Sequence, residues 1–527
     1  MQQEATAGRS YDRLFRARVV EDLERHRGQA SDRAVARAHV LAPSTLRTWD
    51  LATPRCEGEL AALDRYFGTP EGLLVLHRMV TAAHFAFTLV GASGLELLAR
   101  FLDLSGLSRW VASSYGTQWK FAKEIEQAMI DFEDHERARL AASMTPKSIG
   151  LCEDENFHEG VCLVGMEPVS GFIVVEKRSE TRDEHAWNGA LEEGLAGLPV
   201  TVLSVTADEA RGLKRHIENG LGAIHVPDVF HPQHELSKAF SPVLARRENE
   251  AAAELAKAQK RAATSDTATL SALLDAHECA RADRQGARDA IAALSTLDHP
   301  FDLATGAVRT PSAVEAAMAR ELDTLDALAR SMTMTARCHE AVAATRRLLP
   351  SFRASFNSFF DHTRTRLDAL ALDESTRAAV DRALLPAAYL EGAARKAKNA
   401  QRRDAILNVA HARRAEFDAA TTLAPEPRAL VERTVGDCAD LFQRASSCVE
   451  GRNGQLSLRH HSLHALSQTK RRVLTIVHNY VLRRDDGSTA AERFFGQRHQ
   501  SAFEWVLRHV AVLPRPAAVR SPLRILN

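Results

Sequence analysis

The sequence lacks several features that would assign it to a protein class at once. Its seven cysteines include no CxxC pair, so neither a disulfide framework nor a zinc site is indicated. The first residues lack the apolar core of a signal peptide, and no uninterrupted apolar run reaches the roughly 18 residues of a membrane span. We therefore expect a soluble cytoplasmic protein with reduced cysteines and no membrane partner.

The chain also lacks an excess of either charge, because 68 basic residues balance 68 acidic ones. The whole-chain charge therefore neither demands nor excludes a polyanionic partner. Whether the protein can bind one depends on how the charged residues are distributed along the chain. The 527 residues, of which 45% are hydrophobic, exclude a disordered or fibrous protein. A chain of this length is expected to form three or more globular units.

Two short helices are predicted near the N-terminus. Ser31 can cap the first, DRAVARAHV, and Pro43 fits the first turn of the second, PSTLRTWDL. The second helix points Leu46 and Trp49 inward. It presents four polar residues outward: Ser44, Thr45, Arg47 and Thr48. The pair fits a helix-turn-helix that binds DNA, and the alternative is an ordinary helical pair with a polar outer face.

The next stretch, residues 70–144, is also predicted to be helical. GLELLARFLDL and the segment that begins GLSRWVASS have the rhythm of a second helix-turn-helix. Polar residues available on its second element are Ser108, Arg109, Ser113, Ser114 and Gln118. Trp119 is interpreted as a core residue.

At Thr145 and Pro146 the pattern changes from helical to alternating, which predicts strands. The predicted strands are residues 148–152, 161–166, 171–176, 200–205 and 222–226. Helices are expected over residues 183–194 and 208–219 and in HPQHELSKAF, and the apolar strand VTVLSV fits a buried parallel position. The β-β-β-α-β-α-β-α order predicts an RNase H-like α/β core with a mixed five-stranded sheet, embedded in a mostly α-helical protein.

From about residue 241 to 427 the strand signal disappears and a large helical insertion is predicted. Breaks are expected at HPFDLATG, at Pro350, at Pro386 and at the APEP sequence. The charged faces are interpreted as solvated helix surfaces, with DNA contact as the alternative. A later single helix, residues 437–461, is predicted to carry a polar stripe. Its members are Gln443, Ser446, Glu450 and Asn453.

Two carboxylates stand out in the sheet region. Asp154 lies in the first strand and Asp208 follows the fourth. Strand alternation places Asp154 opposite Glu153 and Glu155. Phosphodiester cleavage with strand transfer uses two Mg²⁺ or Mn²⁺ ions, which prefer carboxylate oxygens. The structural alternatives are a turn cap for Asp154 and a helix N-terminal acid for Asp208.

Several runs carry a resemblance to a known family. These are DEN, SGFIVVEKRSETRDEHAW, LPVTVLSVTADEARGL, HVPDVFHPQHELSKA, SSCVEGRNGQLS and DDGSTAAERFFG. Together they resemble bacterial insertion-sequence transposases of the DDE type, in the RNase H-like and retroviral integrase superfamily. The resemblance implies that Asp154, Asp208 and Glu450 are the catalytic and metal-binding residues, with two Mg²⁺ or Mn²⁺ ions as cofactors. The VExxN pattern of Glu450 and Asn453 supports the third acid, for which Glu492, Asp485 and Asp486 are alternatives.

The resemblance also implies partners and a domain order. We expect a homo-oligomer that binds double-stranded DNA, both element ends and target, near the bacterial nucleoid and with no small-molecule substrate. The expected DNA contacts are Ser44, Thr45, Arg47, Thr48, Arg109 and Asn453. The expected units are a helix-turn-helix module (1–75), a second helical DNA-binding or linker module (76–144), the first part of the core (145–247), the helical insertion (248–430) and the helix with the third acid plus C-terminal helices (431–527).

Three alternatives stay open at this point. Asp228, His231 and His234 in PDVFHPQHE look like metal ligands, but a helix cap for Asp228 and packing or DNA-backbone contact for the histidines are favoured, because this chemistry prefers oxygen ligands. The protein is alternatively a domesticated or inactive relative that only binds DNA. A third reading is an RNase H-fold nuclease without strand transfer.

Overall fold

The structure is a computed structural model that describes most of the chain. The described residues are 19–20, 22–23, 25–52, 62–63, 66–67, 69–157, 160–261, 267–463 and 466–512. The chain divides into two compact units. The first comprises the described parts of residues 1–84, 95–121 and 510–527, and the second comprises residues 85–94 and the described parts of 122–509.

The first unit contains the two short N-terminal helices that the sequence predicts. These are α1 (Asp32–Ala38) and α2 (Pro43–Ala52). The Ser31 side chain accepts a hydrogen bond from the Ala34 amide, which caps α1. On α2, Leu46 and Trp49 are buried, whereas Arg47 is exposed. The predicted orientation of α2 is thus confirmed, and DNA contact by this helix stays a prediction.

Three further helices follow: α3 (Pro70–His84), α4 (Leu95–Leu104) and α5 (Tyr115–Ala142). Two predictions at the start of α5 are wrong. Gln118 is fully buried because its amide donates to the Ala112 carbonyl at 2.7 Å and its Oε1 lies 2.8 Å from His84 Nε2. Trp119 is 47% exposed and is therefore not a core residue. The spacing of polar residues along this helix therefore does not predict whether a given side-chain amide is buried or exposed.

The helical stretch Pro70–Val90 is the one described segment that is long and apolar enough to cross a membrane by length and composition. Half of its most apolar window is buried inside the protein. A core helix of a soluble protein passes the same test, so the segment does not establish a membrane location.

The second unit contains a mixed five-stranded sheet in the order β3-β2-β1-β4-β5. The pairs β1/β2 and β2/β3 are antiparallel, whereas β1/β4 and β4/β5 are parallel. All five predicted strands are confirmed, with slightly wider bounds for most of them. The strands are β1 (Lys147–Asn156), β2 (Val161–Glu167), β3 (Phe172–Ser179), β4 (Val200–Ala207) and β5 (Ile224–Pro227).

Helices connect the parallel strands. Helix α6 (Glu184–Leu195) joins β3 to β4 and is capped by Asp183, whose side chain accepts from the Ala186 amide. The short helix α7 (Arg211–Arg215) and a π-helical turn, His216–Gly220, join β4 to β5. The chain is therefore mostly helical around one sheet, as the sequence predicts at this coarse level.

The predicted insertion is confirmed as mostly helical in its described residues, and the expected break at HPFDLATG is present between Leu297 and Pro311. Its helices are α8 (Phe230–Lys260), α9 (Thr267–Leu297), α10 (Pro311–Ser331), α11 (Ala336–Asp368), α12 (Glu374–Ala379), α13 (Leu385–Lys396), α14 (Ala400–Ala420) and α15 (Pro425–Leu441). The predicted break at Pro350 is wrong, because this proline lies inside α11. The predicted break at Pro386 is also wrong, because α12, a π-helical turn, Val380–Leu384, and α13 follow one another without interruption.

Four helices end the described chain: α16 (Ser447–Leu463), α17 (Gln468–Tyr480), α18 (Ala490–Phe495) and α19 (Ala502–His509). The single helix predicted over residues 437–461 is wrong, since α15 ends at Leu441 and α16 begins at Ser447. Phe442 packs in the helical core, 5.0 Å from the Phe356 ring centroid. These tertiary contacts override a continuous helical pattern, so Gln443 and Ser446 belong to a linker rather than to a helical stripe.

Candidate active site

A cavity of about 850 Å³ lies at the carboxyl ends of β1 and β4. The three predicted acids, Asp154, Asp208 and Glu450, all line it. They come from the end of β1, from the residue after β4 and from the first turn of α16. The fold thus brings together side chains that are separated by the whole helical insertion in sequence.

Alternation along β1 directs Asp154 into the cavity. Its neighbours Glu153 and Glu155 lie on the opposite face, where Glu153 Oε2 is 3.6 Å from the buried His216 Nε2. Glu155 Oε1 accepts a hydrogen bond of 3.4 Å from the indole of buried Trp187. The predicted division of these three acids between two faces is confirmed.

Asp154 is held by two hydrogen bonds. Its Oδ1 accepts from the Glu155 amide at 2.8 Å, and its Oδ2 accepts from Asn453 Nδ2 at 2.9 Å. Burial raises the pKa of Asp154 to about 6, and repulsion from the Asp208 and Glu450 carboxylates adds to this rise. Ionisation of Asp154 beside these two carboxylates is therefore unfavourable unless a cation offsets the charge.

Asn453 connects α16 to β1. Besides donating to Asp154, it accepts through its main-chain oxygen from Asn156 Nδ2 at 3.3 Å. Asn453 stands one turn after Glu450 on α16. One face of this helix therefore carries Glu450 and also holds Asp154 in place through Asn453. This geometry gives Asn453 a role within the protein, and the predicted DNA contact of Asn453 stays a prediction.

Asp208 begins the connection that follows β4. Its Oδ1 accepts from the Ala210 amide at 2.9 Å, and its main-chain oxygen lies 3.2 Å from His225 Nε2. The side chain therefore caps the turn ahead of α7 and is not the helix N-terminal acid considered from the sequence, since α7 begins at Arg211 after the N-cap residue Ala210. It also lines the cavity, and in the described part of the chain Oδ2 makes no hydrogen bond, so this oxygen can bind a ligand.

Glu450 is exposed in the first turn of α16. The start of this helix is fixed by Asp228, which follows β5 and whose Oδ2 accepts from the Ser446 amide at 2.9 Å and from its hydroxyl at 2.7 Å. Ser446 in turn accepts the amide hydrogen bonds of Val449 and Glu450 at 2.8 and 3.1 Å. Asp228 thus positions the helix that carries the third acid.

Asp228 also accepts from the Phe230 amide at 2.9 Å, at the first residue of α8. The helix cap favoured from the sequence is thereby confirmed, and the link to Ser446 is an addition that no local pattern predicts. His231 and His234 lie on the wall of the cavity formed by α8. Among the described residues, no three His, Cys, Asp or Glu side chains are already gathered as a metal site.

The alternative third acids lie elsewhere among the described residues, since none of them lines the cavity. Glu492 completes a capping box, in which its Oε2 accepts from the Thr489 amide at 2.9 Å. Asp486 Oδ1 accepts from the Ser488 amide and hydroxyl in a turn. Glu450 is therefore the third acid that the geometry favours.

Sequence reasoning missed two arginines of this cavity, Arg284 and Arg288 on α9. Their i, i+4 spacing was visible, but solvated helix faces show the same spacing. Asp228 as an anchor for Ser446 was also missed, because the two residues are far apart in sequence and only the folded chain brings them together.

The raised pKa of Asp154 leads to a stability prediction. An aspartate with a raised folded-state pKa contributes stability below its unfolded value near 4, and this contribution is lost as the pH rises through about 6. Asp154→Asn stays neutral, so it is expected to raise the free energy of unfolding at pH 7.5 by about 2 kcal/mol without divalent cations. Denaturant unfolding at pH 7.5 and pH 5 measures this.

The difference between variant and wild type is expected to shrink at pH 5. Mg²⁺ or Mn²⁺ at millimolar concentration is expected to stabilise the wild type and leave Asp154→Asn unchanged, because ligand binding to the folded state adds to stability. A variant that is less stable than the wild type at pH 7.5 would mean that Asp154 is a structural acid.

No curated protein and no solved structure matches the chain. Residues 380–522 match DUF6399, a family of unknown function. The matching segment contains Glu450 and Asn453 but neither Asp154 nor Asp208, so the chain is similar to that family over α13 to α19 and the segments that join and follow these helices.

Proposed function

We propose that the protein is a metal-dependent DNA transposase of the DDE type, which cuts DNA at the ends of a mobile element and joins them to target DNA. The observation that carries this proposal is that Asp154, Asp208 and Glu450, from three separate elements, line one cavity. The strand order β3-β2-β1-β4-β5, antiparallel and then parallel, supports an RNase H-like catalytic core.

The donor set suits hard divalent cations. Carboxylate oxygens are the ligands that Mg²⁺ and Mn²⁺ prefer, and only a few are needed because water and substrate phosphate complete the coordination. The raised pKa of Asp154 reflects partly the mutual repulsion of the three carboxylates, which a divalent cation would relieve. The chemistry of the three donor side chains therefore suits divalent cations of this kind.

The protein groups have distinct roles in the proposed reaction. Two bound cations would activate the attacking oxygen and stabilise the leaving oxygen. Asp154, oriented by Asn453, and Asp208, oriented by the Ala210 amide, would hold them from the sheet. Glu450 would complete the set from α16. Water would first cut the strand to leave a 3′-hydroxyl, which then attacks a target phosphodiester.

The N-terminal helices are proposed to bind the element ends. Helix α2 presents Ser44, Arg47 and Thr48 to solvent, with Thr45 half-buried, while Leu46 anchors the helix in its core. Arg109 is exposed at the end of a 3₁₀ turn. Polar and basic side chains on an exposed helix suit contacts to base edges and phosphates. Pairing of two ends requires at least a dimer.

The test uses the full-length protein with labelled duplex DNA taken from the sequence that flanks the coding region. With Mg²⁺ or Mn²⁺, we expect strand cleavage that leaves a 3′-hydroxyl, and a joined product once target DNA is added. DNA binding without cleavage would favour the inactive relative. Cleavage without a joined product would favour the nuclease, and the absence of both binding and cleavage would refute a nucleic-acid function.

A further inference from the structure

The helical insertion builds part of the wall of this cavity. One face of α8 and one face of α9 line it. The residues of α9 recur at helical spacing: Arg284, Ala287, Arg288, Ile291, Ala292 and Ser295. The insertion is therefore part of the cavity and not a separate appendage of the sheet.

The two arginines on this face differ in their contacts. Arg284 Nη1 lies 2.5 Å from Glu248 Oε2 of α8, and its Nε is buried without a hydrogen-bond partner among the described residues. Arg288, one turn further, is exposed and makes no ion pair or hydrogen bond through its side chain within the described chain. The cavity lining thus contains one guanidinium that is held in an ion pair, that of Arg284, and one without an ion pair among the described residues, that of Arg288.

Its place in the cavity, and not only the lack of an ion pair, sets Arg288 apart from other arginines of the insertion. Exposed Arg320 also makes no side-chain ion pair or hydrogen bond among the described residues, but it does not line the cavity. Arg330 pairs with Asp326, Arg346 with Asp323 at 2.8 Å and Arg353 with Glu315 at 3.1 Å. Such paired charges need no ligand to explain them. Arg288 has no such partner among the described residues, and it lines a cavity that also contains the acids Asp154, Asp208, Asp228 and Glu450.

We propose that Arg288, with Arg284 beside it, binds a backbone phosphate of the DNA strand held in the cavity and positions that strand against Asp154, Asp208 and Glu450. This inference rests on the proposed function. A guanidinium is suited to phosphate because its N–H groups bind two oxygens at once. DNA that enters a cavity with three carboxylates also needs fixed positive charge to offset their repulsion.

The assignment makes Arg288 a positioning residue. Its charge holds a phosphate of the strand at the part of the cavity lined by α9, while the acids act on the phosphodiester that is cut. A single lost phosphate contact lowers the affinity for all DNA sequences alike and reduces the salt dependence of binding. If Arg288 had only a structural role, its replacement would not change how DNA affinity depends on salt concentration. A lysine at this position would then also have no reason to restore binding.

The test compares the wild type, Arg288→Gln, Arg288→Lys and Arg320→Gln with the same flanking duplex. Arg320 is a matched control because it is an exposed arginine on the neighbouring helix α10 and does not line the cavity. For Arg288→Gln we expect the slope of log affinity against log salt to fall in magnitude by about 0.9. We expect kcat/KM for cleavage to fall about 10- to 100-fold.

Arg288→Lys is expected to keep the salt slope and to recover part of the cleavage rate, because it retains the charge without the planar fork. Arg320→Gln is expected to match the wild type. If the wild type cleaves DNA and Arg288→Gln retains its salt slope, the inference is overturned, as it is if Arg320→Gln loses as much. If the wild type neither binds nor cleaves DNA, the proposed function fails instead.

Discussion

Asp208→Asn is expected to reduce the rate of metal-dependent DNA cleavage by about 10³-fold or more. Asparagine preserves the hydrogen bond that Asp208 Oδ1 accepts from the Ala210 amide, so the turn after β4 should stay intact. It removes the negative charge that would hold a cation in the cavity. A bound cation contributes several kcal/mol of transition-state stabilisation, and each 1.4 kcal/mol changes the rate tenfold.

The measurement is the single-turnover cleavage rate of labelled flanking duplex in Mg²⁺, together with the affinity for uncut DNA. Affinity is expected to change little, since the proposed end-binding residues lie on other elements of the chain. A variant that cleaves at the wild-type rate would remove Asp208 from the site. A variant that loses DNA binding as well would point to misfolding, which thermal unfolding detects.

Glu450→Gln and Glu492→Gln form a matched pair that identifies the third acid. Glu450 lines the cavity and Glu492 caps its own helix, so only Glu450→Gln is expected to abolish cleavage. Glutamine at position 492 can accept the same capping hydrogen bond from the Thr489 amide, so Glu492→Gln is expected to cost less than about 1 kcal/mol of stability. The opposite result, an active Glu450→Gln and an inactive Glu492→Gln, would move the third acid to α18.

The sheet and two of its acids could be predicted from the sequence because their signals are local. Period-two alternation through SIGLCEDEN fixes both the strand and the face on which Asp154 stands. Asp208 directly follows a fully apolar strand, so its position at the sheet edge follows from where that strand ends. In these cases the interactions that determine structure lie within about ten residues of one another.

The position of Glu450 could not be derived from local pattern, because long-range contacts set it. Asp228 holds Ser446, and Asn453 reaches Asp154 across the insertion. The same contacts explain why α15 and α16 are two helices where periodicity predicts one. The local sequence shows the helical propensity of residues 437–461. It does not show the long-range hydrogen bonds that end one helix and start the next.

Long-range contacts also explain other differences between the structure and the predictions from sequence. Gln118 is buried because His84 and the Ala112 carbonyl satisfy its amide, and polarity alone predicts exposure. The helix face that carries Arg288 has the composition and residue spacing of a solvated helix face. Its relevance follows only from the cavity that α9 lines. Polar residues are thus assigned least well by sequence, since their roles depend on partners that are distant along the chain.

Arg452→Met is expected to lower the free energy of unfolding by about 3–5 kcal/mol. Arg452 on α16 binds Glu176 of β3 through two hydrogen bonds, of 2.6 and 2.9 Å, and both side chains are buried. Thr475 donates a third hydrogen bond to the same carboxylate. Removal of the guanidinium leaves a buried carboxylate without a counter-charge, which is the costly half of a buried ion pair.

Chemical denaturation of the full chain measures this cost, and two variants calibrate it. Arg346→Met breaks an exposed pair with Asp323 and is expected to cost less than about 1 kcal/mol. The double variant Arg452→Met with Glu176→Leu is expected to recover most of the lost stability, because no buried charge remains. If Arg452→Met costs no more than Arg346→Met, the ion pair does not anchor α16. The contacts of Asp228 and Asn453 would then have to position Glu450 without it.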